Sequence, residues 1–346
     1  MTVRAGFFLS FFQGFQDYLN VCWLNDGTMN AIEVSGLAKR FGTLTALDGI
    51  SFSVTEGETF GFLGPNGAGK TTTIRILTGI STPSGGTARI FGNDIIRDPI
   101  ATRKQLGIVH ETSNIYDDLT AWQNLMFAAE LYTVGKHERE KRGRELLELF
   151  GLTERQNDKV HGFSKGMKRR LTLAMGLVNN PRLLFLDEPT SGLDVQSNII
   201  IRDVIRDLNA QGVTVFLTTH NIEEANLACD RVAIINRGRI AAIDSPERLK
   251  KTIQSVQSVE VAFDSASPLR IDDLRKIQNV SEVRKEGDKF RLFTEDPSLV
   301  IPEVMEYARS RNAKVLSIST FGPSLEDVFI RLTGLDIRTR GVSTVD

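Results

Sequence analysis

The chain has 346 residues, 42 Lys+Arg against 43 Asp+Glu, and a formal net charge of −1. That length holds about two domains with cores of their own. Charge this balanced removes any bulk electrostatic ground for binding nucleic acid or anionic lipid. The cysteines, Cys22 and Cys229, fit no metal or redox spacing, and free thiols suit a reducing cytoplasm. No apolar run reaches the roughly 18 residues that a membrane span needs.

Residues 1–28 stand apart. Gly6-Phe7-Phe8-Leu9-Ser10-Phe11-Phe12 is apolar, Arg4 is the one basic residue, and the segment turns polar through Asn25, Asp26 and Gly27. A signal peptide would need a small-residue cleavage site, and a surface anchor a basic face. Both are missing, so the segment reads as a mobile accessory extension before a natural start at Met29.

From Ala31 to Val54 the pattern is strand-like and broken by turns. Ile32-Glu33-Val34 alternates, Gly36 and Gly42 punctuate, and Ile50-Ser51-Phe52-Ser53-Val54 alternates up to the turn Glu56-Gly57-Glu58. Thr59-Phe60-Gly61-Phe62-Leu63 is a buried-strand run. It leads into Gly64-Pro65-Asn66-Gly67-Ala68-Gly69-Lys70-Thr71, which matches G-x-x-x-x-G-K-[ST], the phosphate-cradling loop of nucleotide triphosphatases. The glycines let the backbone turn its N–H groups toward phosphate. Lys70 supplies a mobile cation for the β- and γ-phosphates, and Thr71 a hydroxyl for Mg²⁺. Thr72 to Leu77 reads as a helix with its N-terminus aimed at the anion. A glycine-rich turn could match by chance; strand, loop and helix in the required order argue against it.

Residues 87–92 and Leu106 to His110 are further strands. Beyond Leu119 the texture becomes helical: Trp122 to Leu131 with Thr120 as N-cap, the charged His137 to Phe150, and Ser164 to about Val178. These three helices predict a helical subdomain over about 119–178, set into an α/β core. Arg182 to Leu186 and Gly212 to Leu217 are two-sided apolar strands, as a covered parallel sheet demands. Arg231 to Asn236 and Arg239 to Ile243 form a hairpin around Gly238. Past Pro246, a strand from Val256 to Phe263, a helix from Ile271 to Ile277 and a hairpin around Gly287-Asp288 follow. A helix from Pro302 to Arg311, a strand from Lys314 to Ser319 and a helix from Ser324 to Leu332, stopped by Gly334, complete a small α+β domain. The expected division is an extension at 1–28, a nucleotide-binding domain at 29–248, the small domain at 254–336 and a flexible tail at 337–346.

Asp187-Glu188 closes the strand Leu183 to Leu186, where parallel sheets place ligand chemistry. Asp187 is the candidate for Mg²⁺, directly or through water, and Glu188 for polarising an attacking water. The bland alternative is a solvated acidic turn before Pro189.

With these residues the chain resembles the ATP-binding subunits of ABC transporters. Phe41 stands where the family stacks an aromatic on adenine, tyrosine being commoner there. Phe163-Ser164-Lys165-Gly166-Met167 resembles the family's signature, Ser191-Gly192-Leu193-Asp194 the loop after the catalytic carboxylate, and His220 the switch histidine. The resemblance covers about Ala31 to Pro246. It implies a P-loop fold, a RecA-like parallel sheet core with antiparallel strands and an inserted helical subdomain. It implies ATP bound by Phe41, Gly64 to Lys70, Thr71 and Thr72, with Glu188 and His220 catalytic and Mg²⁺ held by Thr71, Glu111 and Asp187. Ser164, Lys165, Gly166 and Met167 would contact the γ-phosphate on a partner cassette, most simply an identical copy, with Asp194 coupling the two sites. The implied setting is the cytoplasmic face of the cell membrane, beside a separately encoded multi-span permease and without nucleic acid.

Two departures stand out. Lys165 and Met167 replace the commoner glycine and glutamine, a variant found in the branch exporting drugs, polysaccharides and lipids. Glu111 stands where glutamine usually binds Mg²⁺ and senses the membrane partner; as a plain loop carboxylate it would only be hydrated. Pro323-Ser324-Leu325-Glu326-Asp327-Val328-Phe329 followed by Leu332-Thr333-Gly334 resembles the C-terminal end of drug-resistance-type cassettes. Leu325, Val328, Phe329 and Leu332 form a helical stripe expected in the core or at a subunit contact. The rival reading is a soluble cassette ATPase acting on ribosomes or DNA. It is opposed by the single cassette, the absence of sustained heptads and the lack of a basic excess.

Overall fold

Three apolar runs, TFGFL, LLFLD and TVFLTT, are buried at every position, and a strand buried on both faces belongs inside a covered parallel sheet. The computed structural model describes residues 29–112, 114–252, 257–264 and 270–334. The extension at 1–28, the tail at 337–346 and the start of the strand at Val256 lie outside the described residues. The chain divides between Ala241 and Ala242 into two compact units.

The first unit opens with β1 (Asn30–Phe41), β2 (Leu44–Thr55), β3 (Thr59–Leu63), α1 (Lys70–Leu77), β4 (Gly85–Ile90), β5 (Asn93–Asp94), α2 (Pro99–Arg103) and β6 (Leu106–Val109). It continues with α3 (Ala121–Leu131), α4 (Lys136–Leu149), α5 (Lys165–Gly176), β7 (Leu183–Asp187), α6 (Val195–Ala210), β8 (Thr214–Thr219), α7 (Ile222–Ala228) and β9 (Arg231–Asn236). β10 (Arg239–Asp244) spans the division.

The central sheet runs β10-β9-β3-β8-β7-β6. Its neighbours from β9 through β6 pair in parallel, with Leu63 opposite Thr219 and Asp187 opposite Thr218. This order brings the ends of β3, β7 and β8, far apart in sequence, to one edge, where open parallel sheets bind ligands. Of the two expected breaks, the one at Gly42 is the turn between β1 and β2, whereas Gly36 interrupts nothing: β1 and β2 are strands of 12 residues each. Gly36 and Gly49 have positive φ, and register shifts along the ladder absorb the irregularity as bulges. Phe52 of β2 packs on Phe60, Phe62 and Phe216 at centroid distances of 5.7, 5.5 and 6.0 Å, sealing the antiparallel sheet β2-β1-β4-β5 to the parallel one.

The three predicted inserted helices form α3, α4 and α5, packed on one another. Thr120 caps α3 in a full capping box with Gln123. Two helices that the sequence reading left unassigned, α6 and α7, follow the strand ends. Asp194 caps α6, whose buried stripe is Ile201, Val204, Ile205 and Leu208.

The second unit contains α8 (Pro246–Lys251), β11 (Gln257–Phe263), α9 (Ile271–Leu274), β12 (Glu282–Glu286), β13 (Lys289–Thr294), α10 (Pro297–Ser310), β14 (Val315–Phe321) and α11 (Leu325–Thr333). An antiparallel sheet, β12-β13-β11-β14, packs with α10 around Val259, Val261, Leu292, Val300 and Val304. α10 starts at Pro297, five residues before the predicted start, and carries Pro302 inside it. The stripe Val300, Val304, Ala308 stays buried through the proline, so core burial outweighs the one hydrogen bond lost. The predicted helix from Ile271 stops at Leu274. In α11, Leu325, Val328 and Phe329 are buried and Leu332 is exposed; Ser324 and Gly334 cap its two ends.

Candidate functional site

The loop between β3 and α1 is shaped by close approach. A Cβ on Gly64 would lie 2.4 Å from the Ile235 carbonyl oxygen, and one on Gly69 (φ 111°) 2.7 Å from Leu47 Cδ2. Any side chain would push the loop off its seat, so its backbone stays bare for an anion. Lys70 Nζ donates to the carbonyls of Gly64 at 2.7 Å and Pro65 at 3.3 Å. It also pairs with Glu188 Oε1 at 3.2 Å, both side chains being buried.

Asp187 ends β7. Its Oδ1 lies 3.4 Å from Thr71 Oγ1 and accepts a short hydrogen bond from the Thr218 hydroxyl. Glu188 follows in the left-handed region, φ 48°, which a non-glycine residue occupies only at a cost. Its Oε2 faces His220 Nδ1 at 2.8 Å. The Glu188 carboxylate is therefore held between a lysine and a histidine. Glycine cradle, lysine and adjacent hydroxyl and carboxylate oxygens fit a nucleotide triphosphate with a hard cation. Among the described residues no cluster of His, Cys, Asp or Glu holds a metal by itself.

The structure brings Lys70, Thr71, Asp187, Glu188 and His220 together. It does not bring Ser164, Lys165, Gly166 and Met167 to them: no hydrogen bond or ion pair among the described residues joins the two groups. Ser164 caps α5, accepting from Met167 N at 3.2 Å. A Cβ on Gly166 would lie 2.3 Å from Ser197 Oγ, and one on Gly192 2.2 Å from Lys165 Nζ, so this segment abuts the loop that ends at Asp194. Asp194 accepts from Ser197 N and Ser197 Oγ, each at 2.8 Å, and these hydrogen bonds hold its carboxyl below the usual range. Phe41 is 51% exposed at the end of β1, its ring under Lys39 Nζ at 4.8 Å. The Glu111 side chain is exposed.

Sequence reasoning missed Thr218, Arg169 and Glu224. Arg169 sits on the buried stripe Gly166, Arg169, Leu173, Gly176 of α5; a cation at helical spacing on an apolar face was the available signal. Glu224 resembles an ordinary first-turn acid of α7, yet it is buried and accepts from Thr190 Oγ1 at 2.8 Å. Burial pushes its carboxyl above the usual range, against the opposing hydrogen bonds of Thr219 and Thr190. An acid whose folded pKa is raised holds its proton more tightly when folded, so its stability contribution falls as pH rises through that pKa. Glu224→Gln is expected to gain thermal stability over the wild type progressively as pH rises above the ordinary carboxylate value of 4.5. Melting temperatures across that range test this; an unchanging difference contradicts it.

Loop, carboxylate pair and histidine at one edge of a parallel sheet define a P-loop nucleotide hydrolase. A family model described as "ABC transporter" matches residues 47–191, and one described as "ATP-binding protein DrrA1-3-like, C-terminal domain" matches residues 245–333. The linearmycin resistance ATP-binding protein LnrL of Bacillus subtilis (strain 168) is 34% identical over 89% of this chain and 99% of its own length. The daunorubicin/doxorubicin resistance ATP-binding protein DrrA of Streptomyces peucetius is 35% identical over 90% of this chain and 94% of its own. A solved ATP-binding subunit of an ABC transporter superposes with TM-score 0.60 at 30% identity, covering 64% of this chain and 93% of that one. The cassette MJ0796, a dimer in a post-hydrolysis state bound to ADP and Pi, gives TM-score 0.57 at 27% identity, covering 62% and 98%. The chain belongs to the ABC transporter ATP-binding subunits. It is an ATP-binding ATPase, and among its described residues no helix is long and apolar enough to cross a membrane.

Proposed function

We propose that this chain energises an ABC exporter from the cytoplasmic face of the membrane, as one of two cassettes, most simply identical, beneath a separately encoded multi-span permease. The observation that carries the reading is the second unit. Residues 245–333 match the C-terminal domain of DrrA-type proteins, and relatives named for drug resistance or Nod factor export match along nearly their whole length.

In this reading the Gly64–Thr72 loop binds the triphosphate, Lys70 stabilises charge developing on its γ-phosphoryl oxygens, and Phe41 offers an exposed ring to adenine. Thr71 and Asp187 would hold Mg²⁺, with Glu111 from the neighbouring loop, and the bound ion would supply charge neutralisation to the phosphates. Glu188 orients and deprotonates the attacking water, and His220, 2.8 Å away, fixes the carboxylate and reaches the γ-phosphate. Ser164, Lys165, Gly166 and Met167 complete the nucleotide site of the partner cassette, with Asp194 in the seam. A groove of about 500 Å³ lined by His110, Tyr116, Phe127, Leu131 and Tyr132 supports permease docking beside Glu111.

Glu111→Gln is expected to keep ATPase activity at saturating Mg²⁺ and to lower the Mg²⁺ concentration for half-maximal rate, because one negative charge beside the triphosphate is removed. Loss of hydrolysis at saturating Mg²⁺ would contradict that role. The transporter reading is tested by expressing tagged Glu188→Gln protein in its native cell, adding ATP, solubilising the membranes and identifying what co-purifies. Stoichiometric recovery of a polytopic membrane protein supports it. Recovery of ribosomal or DNA-bound proteins in its place overturns it in favour of a soluble cassette ATPase.

A further inference from the structure

Arg169 lies near the start of α5, four fifths of a turn beyond Gly166 on the same buried face. It is 5% exposed, and among the described residues its guanidinium makes no ion pair. All five N–H donors are directed at main-chain carbonyls. Nε donates to Pro189 O at 2.9 Å, and Nη2 donates to Asp187 O at 2.8 Å and Glu188 O at 3.0 Å. Nη1 donates to His110 O in a short bond and reaches Glu111 O at 3.5 Å. The charges of Asp187, Glu224, Glu111 and Glu188 surround it without touching it.

Three segments with different proposed tasks thus meet on one side chain: the helix that begins at Ser164, the loop carrying Glu111 and the three residues around Glu188. The Glu188 backbone is in the left-handed region and persists there only if its surroundings over-determine it. Arg169 grips the carbonyls on both sides of that residue.

We infer that Arg169 is a positioning residue for hydrolysis. It fixes the Asp187–Pro189 main chain against the His110–Glu111 loop and aims the Glu188 carboxylate, so that a shift of α5 moves the carboxylate with it. The inference rests on the reading of Glu188 as the water-orienting group. Lysine does not substitute, because an ammonium with three donors cannot serve five carbonyls.

The test uses full-length Arg169→Lys, Arg169→Gln and Arg169→Ala beside Glu188→Gln. A misplacement of about 1 Å at a reacting group costs on the order of 100-fold. The Arg169 variants are expected to lose roughly 10- to 100-fold in kcat with KM for ATP within about twofold. Amide hydrogen exchange should rise in the peptide covering residues 187–191. Added guanidinium should restore kcat of Arg169→Ala severalfold at unchanged KM. Where Arg169→Ala does not fold, Arg169→Lys and Arg169→Gln decide. Folded variants with kcat within about twofold of wild type, or with the whole effect in KM, overturn the inference. Full turnover by Glu188→Gln in the same assay removes the reading of Glu188 and the inference with it. Normal Arg169 variants beside an inactive Glu188→Gln remove the inference alone.

Discussion

Glu188→Gln is expected to reduce ATP turnover by roughly 10²- to 10⁴-fold, the usual contribution of a positioned general base, while ATP still binds. Glutamine is nearly isosteric, and its amide oxygen can still accept from the His220 ring, which lies 2.8 Å from Glu188 Oε2 in the native chain. What disappears is the negative charge that faces Lys70 at 3.2 Å and the capacity to take a proton from water. In the proposed reading binding relies on the glycine loop and Lys70, which remain. With hydrolysis blocked, the two cassettes should stay closed on ATP, so the variant should elute as an ATP-dependent dimer in size-exclusion chromatography. Turnover within about twofold of the wild type would remove Glu188 from the catalytic role.

Lys70→Ala should act in two separable ways. The first is loss of nucleotide binding by about two orders of magnitude, because the cation for the terminal phosphates is gone. The second is loss of fold stability. Lys70 and Glu188 are a buried pair, with side chains 6% and 8% exposed, and removing one partner of such a pair typically costs about 3–5 kcal/mol. The Glu188 carboxylate would keep only His220 and a long main-chain contact to His220 N at 3.4 Å. The double variant Lys70→Ala/Glu188→Gln removes the stranded charge, so part of the stability should return while nucleotide binding does not. Denaturant unfolding and titration with a fluorescent ATP analogue measure the two effects. Equal stability of Lys70→Ala and the double variant would show that no stranded-charge penalty was relieved, and an effect of Glu188→Gln that is the same with and without Lys70 would show that the pair is not coupled.

These expectations draw on features of unequal legibility. Gly64 to Thr71 was readable because a phosphate loop is one contiguous stretch whose turn, cradle and helix start are written in neighbouring residues. Asp187, Glu188 and His220 were readable because each closes an apolar run long enough to be a buried strand. The capped helices at Thr120, Ser164 and Ser324 were readable for the same reason: a cap and its helix are local.

The contacts of Arg169, Thr218 and Glu224 were not readable. Arg169 meets carbonyls 18 to 59 positions away, and the helical spacing that turns it inward does not say which carbonyls it meets. Glu223 and Glu224 look alike in sequence, yet only Glu224 is buried. Pro302 was read as a helix start by local stereochemistry, and the continuity of Val300, Val304 and Ala308 with the core overruled it. The sequence by itself determined which residues close the strands and the order of the motifs. Only the tertiary structure decided which strand ends stand side by side and which buried cation holds them, because sheet order and burial arise from packing between residues that are distant along the chain.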